Sequence, residues 1–278
     1  GTSGYGIWIQ ISIGIELFST FAALGLNYAL LRYIPTYGEP RQGTGDLWLS
    51  IFVCWTVCLP VIFIGLIFDE WLAHNFLGGA NQTLALQLSL ILIPLSGALN
   101  LAFIYLRAAH LMSTYFVFIA FETSGWFLLA YVIFLFEHGL IPMIVGLIAI
   151  KLVILAMISI VILWRNGFEK PNIKMLVPHL RYCLPLIPLG LLQWIINASD
   201  RYFISYFCAP ETVGIYAVSY AIGSIISLAY APIFFVLVPT LVELWNAQTP
   251  KETLEYLKIV QKYPFLLAVP GILILIAY

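Results

Sequence analysis

Runs of about 20 mostly apolar residues recur along this chain, with only short polar stretches between them. They fall at 7–30, 47–68, 84–106, 113–136, 141–164, 182–205, 213–237 and 260–278. A helix of that length crosses the hydrocarbon core of a bilayer at 1.5 Å per residue. Hydrophobic residues make up 62% of the 278 and charged residues 9%, against about 25% charged in a soluble domain. No soluble fold covers that much apolar surface. The sequence therefore predicts an all-α polytopic membrane protein with eight transmembrane helices visible.

Lysines and arginines set the orientation. Ten of the 12 lie after the first, third, fifth or seventh span, or at the start of the eighth. The intervening loops 69–83, 137–140 and 206–212 contain none, but do contain Asp69, Glu70, Glu137 and Glu211. Basic residues collect on the cytoplasmic side, so residue 1 is expected outside and 165–181 inside. The chain opens on Gly1 and ends within an apolar run, so it reads as a fragment; if the parent protein starts in the cytoplasm, an odd number of spans, most simply one, is expected upstream. The segment 165–181 (RNGFEKPNIKMLVPHLR) is the most basic and least apolar stretch. It divides the chain into an N-terminal bundle (1–164), a cytoplasmic linker (165–181) and the start of a C-terminal bundle (182–278). An amphipathic surface helix is the alternative for the linker.

Polar groups inside the apolar spans are the candidates for function, because each is costly in lipid and needs something else to face. In the first span Ser12, Glu16, Thr20, Ala23 and Asn27 form one stripe at helical spacing. Glu16 either faces a cavity or locks two helices together. Ser89, Ser96, Gly97 and Asn100 share a face of the third span. Glu122 and Lys151 are single charges deep in apolar runs, so each needs a partner, the other or Glu16. The sixth span places Gln193, Asn197, Asp200 and Arg201 on one face. The seventh does the same with Tyr216 and Tyr220, whose rings can be buried while their hydroxyls hydrogen-bond. Cys54, Cys58, Cys183 and Cys208 have no metal or redox spacing, and read as small apolar residues in helix contacts.

Several stretches then become familiar. YGIWIQ at the start, LGLNYALLRYIP closing the first span, and LPLIPLGLLQWIINASDRYFISYF followed by VGIYAVSYAI resemble the polysaccharide repeat-unit flippases. These lipid-linked oligosaccharide flippases form the polysaccharide transporter family of the multidrug/oligosaccharidyl-lipid/polysaccharide exporter superfamily. The matching positions are Gly6 and Trp8, Gly25, Leu26 and Arg32, Asp200 and Arg201, and Val213 to Tyr216. The resemblance implies part of a 12–14-helix transporter, two bundles around a cavity that opens alternately to each side.

It also implies a substrate, an oligosaccharide on a polyprenyl (di)phosphate, moved across the cytoplasmic membrane for cell-surface polysaccharide synthesis. Phosphate favours arginine and lysine, so Arg32, Lys151 and Arg201 are the anion-facing candidates. Glu16, Asn27, Gln193, Asn197, Asp200, Tyr216 and Tyr220 complete the expected cavity. Arg201 can instead pair with Asp200 or snorkel outward. No cofactor is expected beyond coupling to Na+ or H+. Membrane lipid and other polysaccharide-assembly proteins are the expected partners, and a net charge of −1 argues against nucleic acid. Two competing functions stay open. One is a cation-coupled multidrug or small-molecule exporter of the same superfamily. The other is a membrane glycosyltransferase or glycan polymerase, for which loop 69–83 offers only Asp69, Glu70 and His74.

Overall fold

A computed structural model describes residues 2–37, 40–77, 79–136, 139–208, 211–224 and 250–260, with 262 and 269. They form helices and turns, with no strand among the described residues. The chain divides into two compact units, Gly1–Gly214 and Ile215–Tyr278. The first unit contains α1 (Thr2–Ala22), α2 (Leu26–Tyr33), α3 (Pro40–Ile67), α4 (Asp69–Phe76) and α5 (Thr83–Ala108). It continues with α6 (Met112–Leu135), α7 (Leu140–Asn166), α8 (Ile173–Cys183) and α9 (Ile187–Phe207).

Five helical stretches are long and apolar enough to span a membrane: Gly43–Ile67, Thr83–Ala108, Met112–Leu135, Leu140–Asn166 and Ile173–Phe207. A sixth is a bent pair, Gly4–Ala22 with Leu26–Thr36. The protein is an all-α polytopic membrane protein. In the second unit residues 215–224 and Pro250–Val260 are helical. The remainder of the expected spans 213–237 and 260–278 lies outside the described residues.

The expected first span is not one straight helix. It breaks after Ala22 and resumes at Leu26, with a 56° bend. Gly25 has φ 72° and Leu24 φ 47°, the left-handed region that ends a helix. A Cβ on Gly25 would also stand 3.2 Å from the Cys183 carbonyl oxygen. The polar stripe foreseen from Ser12 to Asn27 is therefore interrupted.

The segment 165–181 is likewise less irregular than a plain linker. Asn172 caps α8 by accepting from the Lys174 N–H at 3.1 Å. A Pro185-containing 3-10 turn then leads into α9.

α5 is the helix around which the first unit is built. Within its apolar window 61% is buried inside the bundle, against 6% for α6. It packs against α1, α2, α3 and α7, and more lightly against α6. Gly97 permits the closest of these approaches, since a Cβ there would lie 2.6 Å from Cys54 Sγ on α3. Small residues let membrane helices approach in this way, where no hydrophobic drive separates protein from lipid. Trp55 Nε1 donates to the Pro94 carbonyl at 3.2 Å across the same interface. Cys54 and Cys58 are free thiols buried in that core, as their spacing implied.

Candidate functional site

A cavity of about 560 Å³ lies between α1, α5, α6 and α7, within the range of about 300–1,000 Å³ usual for small-molecule sites. Helical periodicity explains which residues reach it. On α1 they are Trp8, Ser12, Glu16, Ser19 and Thr20; on α5, Leu92, Ser96, Asn100, Phe103 and Arg107. On α6 they are Tyr115, Ile119, Glu122 and Trp126, and on α7 Leu147 and Lys151. Steps of three and four residues keep each set on one face of its helix.

The two ends of the cavity differ. At one end Trp8 and Trp126 bring their rings to 5.5 Å between centroids at 56°. At the other, the Arg107 guanidinium carbon lies 5.9 Å from the centre of the Tyr115 ring. From Leu92 to Arg107, α5 rises by about 20 Å, so the lining extends over much of a bilayer's thickness. Between the ends Lys151 Nζ approaches Glu122 Oε1 to 3.1 Å, with side chains 18% and 22% exposed. Ser12 and Ser19 direct their hydroxyls back to the Ile9 and Glu16 carbonyls, at 2.8 and 3.1 Å. Glu16 and Arg107 are exposed to the cavity, and Lys151 and Glu122 half-exposed. The site thus mixes two carboxylates and two cations with hydroxyls, an amide and aromatic faces. Such a set can hydrogen-bond polyols and meet an anion, beside Leu and Ile side chains of the same lining.

Of the residues named from sequence, Ser12, Glu16, Thr20, Ser96, Asn100, Glu122 and Lys151 line this cavity, and Glu122 is the partner Lys151 needed. The remaining candidates lie elsewhere. Asn27 and Arg32 are on α2, past the bend, and Arg32 engages the Tyr182 and Tyr33 rings at 4.3 and 5.6 Å. Gln193 and Asn197 are exposed on α9. The face of α9 turned toward its neighbours carries instead Trp194, Tyr202 and Ser205. Trp194 Nε1 donates to the Ile13 carbonyl at 3.2 Å, and Ser205 Oγ to the Phe76 carbonyl at 3.4 Å. Arg201 donates to the Asn197 carbonyl at 2.9 Å, and its backbone N–H to Asp200 Oδ1 at 2.9 Å. Tyr216 and Tyr220 belong to the second unit, with ring centroids 6.2 Å apart.

Arg107, Trp8 and Trp126 were not expected in the site. Arg107 served in the sequence only as an orientation marker. Trp8 stood in the sequence only as a motif position and Trp126 as one aromatic among many, and tertiary contact brings the two together.

The family model described as "polysaccharide biosynthesis protein" matches residues 1–245. No curated protein and no solved structure matches the chain. That match runs through all four helices of the cavity and covers most of the sequence. This membrane protein belongs to the polysaccharide biosynthesis protein family.

Proposed function

We propose that the protein is a flippase that carries a polyprenyl-(di)phosphate-linked oligosaccharide across the cytoplasmic membrane by alternating access. One observation carries the proposal: a cavity between helices long and apolar enough to span a membrane, lined by Glu16, Glu122, Lys151, Arg107, hydroxyls and two tryptophans. Groups of this kind are costly in a membrane unless they face one another or a polar guest. A guest with sugars and phosphates uses all of them, while its hydrocarbon tail stays in lipid.

Basic residues put Arg107 toward the cytoplasm and the Trp8–Trp126 pair toward the outside. In this scheme Arg107 and Lys151 meet phosphate, and the tryptophans and hydroxyls meet sugars. Alternating access opens the cavity to one side of the membrane at a time, and the protein makes or breaks no covalent bond. Arg201 and the α9 amides Gln193 and Asn197 then line the route from the second bundle's side.

The experiment uses the purified whole protein in liposomes loaded with fluorescent lipid-linked oligosaccharide, with and without imposed Na+ and H+ gradients. Flipping faster than in empty liposomes supports the proposal, and dependence on one gradient identifies the coupling ion. Cleavage or extension of the glycan without flipping points to an enzyme instead.

A further inference from the structure

A second cavity, of about 840 Å³, lies between α1, α3, α4, α5 and α9. Only α1 divides it from the polar cavity, and Ile15 belongs to both walls. The two differ in chemistry. Among the described residues no charged side chain lines the second cavity. Much of its wall is aromatic: Trp71, Phe76, Tyr202 and Trp194 follow one another with ring centroids 5.8, 6.1 and 5.8 Å apart. Phe18, Ile64, Phe68 and Trp71 also line it and are 41–58% exposed, so it opens on the outer surface of α1, α3 and α4. Phe18 and Ile64 lie on stretches apolar enough to span the membrane, where the surroundings are hydrocarbon.

Most polar atoms of this wall are engaged within the protein. Ser89 Oγ donates to the Leu86 carbonyl at 2.6 Å. Trp194 Nε1 donates to the Ile13 carbonyl at 3.2 Å, and the Tyr202 hydroxyl to the Gln10 carbonyl at 3.3 Å. The Gln10 side chain is the exception. Gln10 lines the cavity and is 2% exposed, yet neither Nε2 nor Oε1 has a hydrogen-bond partner among the described residues. A buried amide left unpaired is rare and costly.

We infer that this second cavity binds an uncharged, hydroxyl-bearing membrane lipid, with its chain along the aromatic wall and its hydroxyl on the Gln10 amide. The inference goes beyond the flippase reading and does not depend on it.

The lining selects that class. With no lysine or arginine in the wall, a phosphate or carboxylate would sit there without a countercharge. The (di)phosphate end of a carrier lipid therefore fits Arg107 and Lys151, and not this site. A hydrocarbon chain fits the wall, which extends about 12 Å along α1 from Gln10 to Phe18. Lipid is as apolar as the wall, so chain burial alone discriminates little between one lipid and another. The amide decides. It offers both donors and an acceptor, and a hydroxyl answers both where an ester or ether only accepts. Rotation about its side-chain bonds turns the Gln10 amide from its closed position toward the guest.

The test presents the whole protein in phosphatidylcholine liposomes with equal amounts of dioleoylglycerol and the propanediol diester that lacks its hydroxyl. The two share chains and esters, so they differ by one group. The protein is extracted and its bound lipids are quantified by mass spectrometry. Wild type is expected to retain dioleoylglycerol over the diester by about fivefold, the effect of one hydrogen bond. Gln10→Leu breaks no side-chain hydrogen bond of the folded protein, and is expected to retain the two equally. Leu86→Trp fills the cavity and is expected to retain neither. Equal retention by wild type overturns the inference without any variant. So does an undiminished preference in Gln10→Leu, or undiminished retention by Leu86→Trp. Displacement of dioleoylglycerol by an equal amount of polyprenyl diphosphate also overturns it, because the cavity then holds the carrier's own tail.

Discussion

Lys151 Nζ and Glu122 Oε1 meet at 3.1 Å across α6 and α7, on the wall of the cavity. Each charge alone costs about 2.5–3.5 kcal/mol on insertion scales at membrane centre. Together they compensate, and their partial exposure leaves them available to a guest.

Glu122→Gln and Lys151→Met are each expected to lower the thermal midpoint in detergent, because each leaves its partner's charge without compensation. The double variant recovers stability, with a coupling of about 0.5–3 kcal/mol. Flipping is lost in all three. Additive losses of stability remove the pair as a mutual support.

Gly97→Ala places a methyl 2.6 Å from Cys54 Sγ. Overpacking of this kind costs about 1–3 kcal/mol. Cys54→Ala in the same chain makes room, so the double variant is expected to be more stable than Gly97→Ala alone. Thermal unfolding followed by fluorescence measures both.

Gly25→Ala strains a left-handed residue by about 1–2 kcal/mol and crowds the Cys183 carbonyl at 3.2 Å. Lower stability, with Cys183 labelled faster at neutral pH, is the expected result. Unchanged labelling means that α8 does not depend on that joint.

Burial holds the Tyr37 phenol well above its ordinary value, and its hydrogen bond to Asp46 adds to the shift. A group with a raised folded value is neutral in both states below the ordinary value of about 10. Its contribution is thus complete at neutral pH and is lost as pH rises past that value. Tyr37→Phe is expected to cost about 0.5–1.5 kcal/mol at pH 7 and to weaken the alkaline loss of stability. Thermal midpoints between neutral pH and about pH 11 check the sign.

Lengths and faces were legible in the sequence because they follow from local periodicity. The apolar runs foretold α5, α6 and α7 to within two residues and α3 apart from its first seven, and Glu122 and Lys151 announced that each needed a partner. What pairs across the fold was not legible. His179 Nε2 stands 3.4 Å from Asp46 Oδ2, yet the two lie far apart in sequence, and nothing local marks either as half of a contact. The stripe Gln193, Asn197, Asp200 and Arg201 shares a face of α9, but periodicity does not say which neighbour that face meets. The bend at Gly25 was hidden because apolar residues continue through it, and length alone does not reveal a left-handed backbone.

The central claim is that the cavity between α1, α5, α6 and α7 is the route of the glycan. The most direct measurement compares two blocked variants of the whole protein with Cys208 replaced by serine. Asn100→Cys lies in the cavity, and Ile160→Cys lies on the outer surface of α7, 64% exposed. Both are labelled with the same bulky maleimide and assayed for flipping of lipid-linked oligosaccharide in liposomes. Labelled Asn100→Cys is predicted to lose flipping that its unlabelled form retains, while labelled Ile160→Cys flips at the unlabelled rate. Undiminished flipping by fully labelled Asn100→Cys contradicts the account.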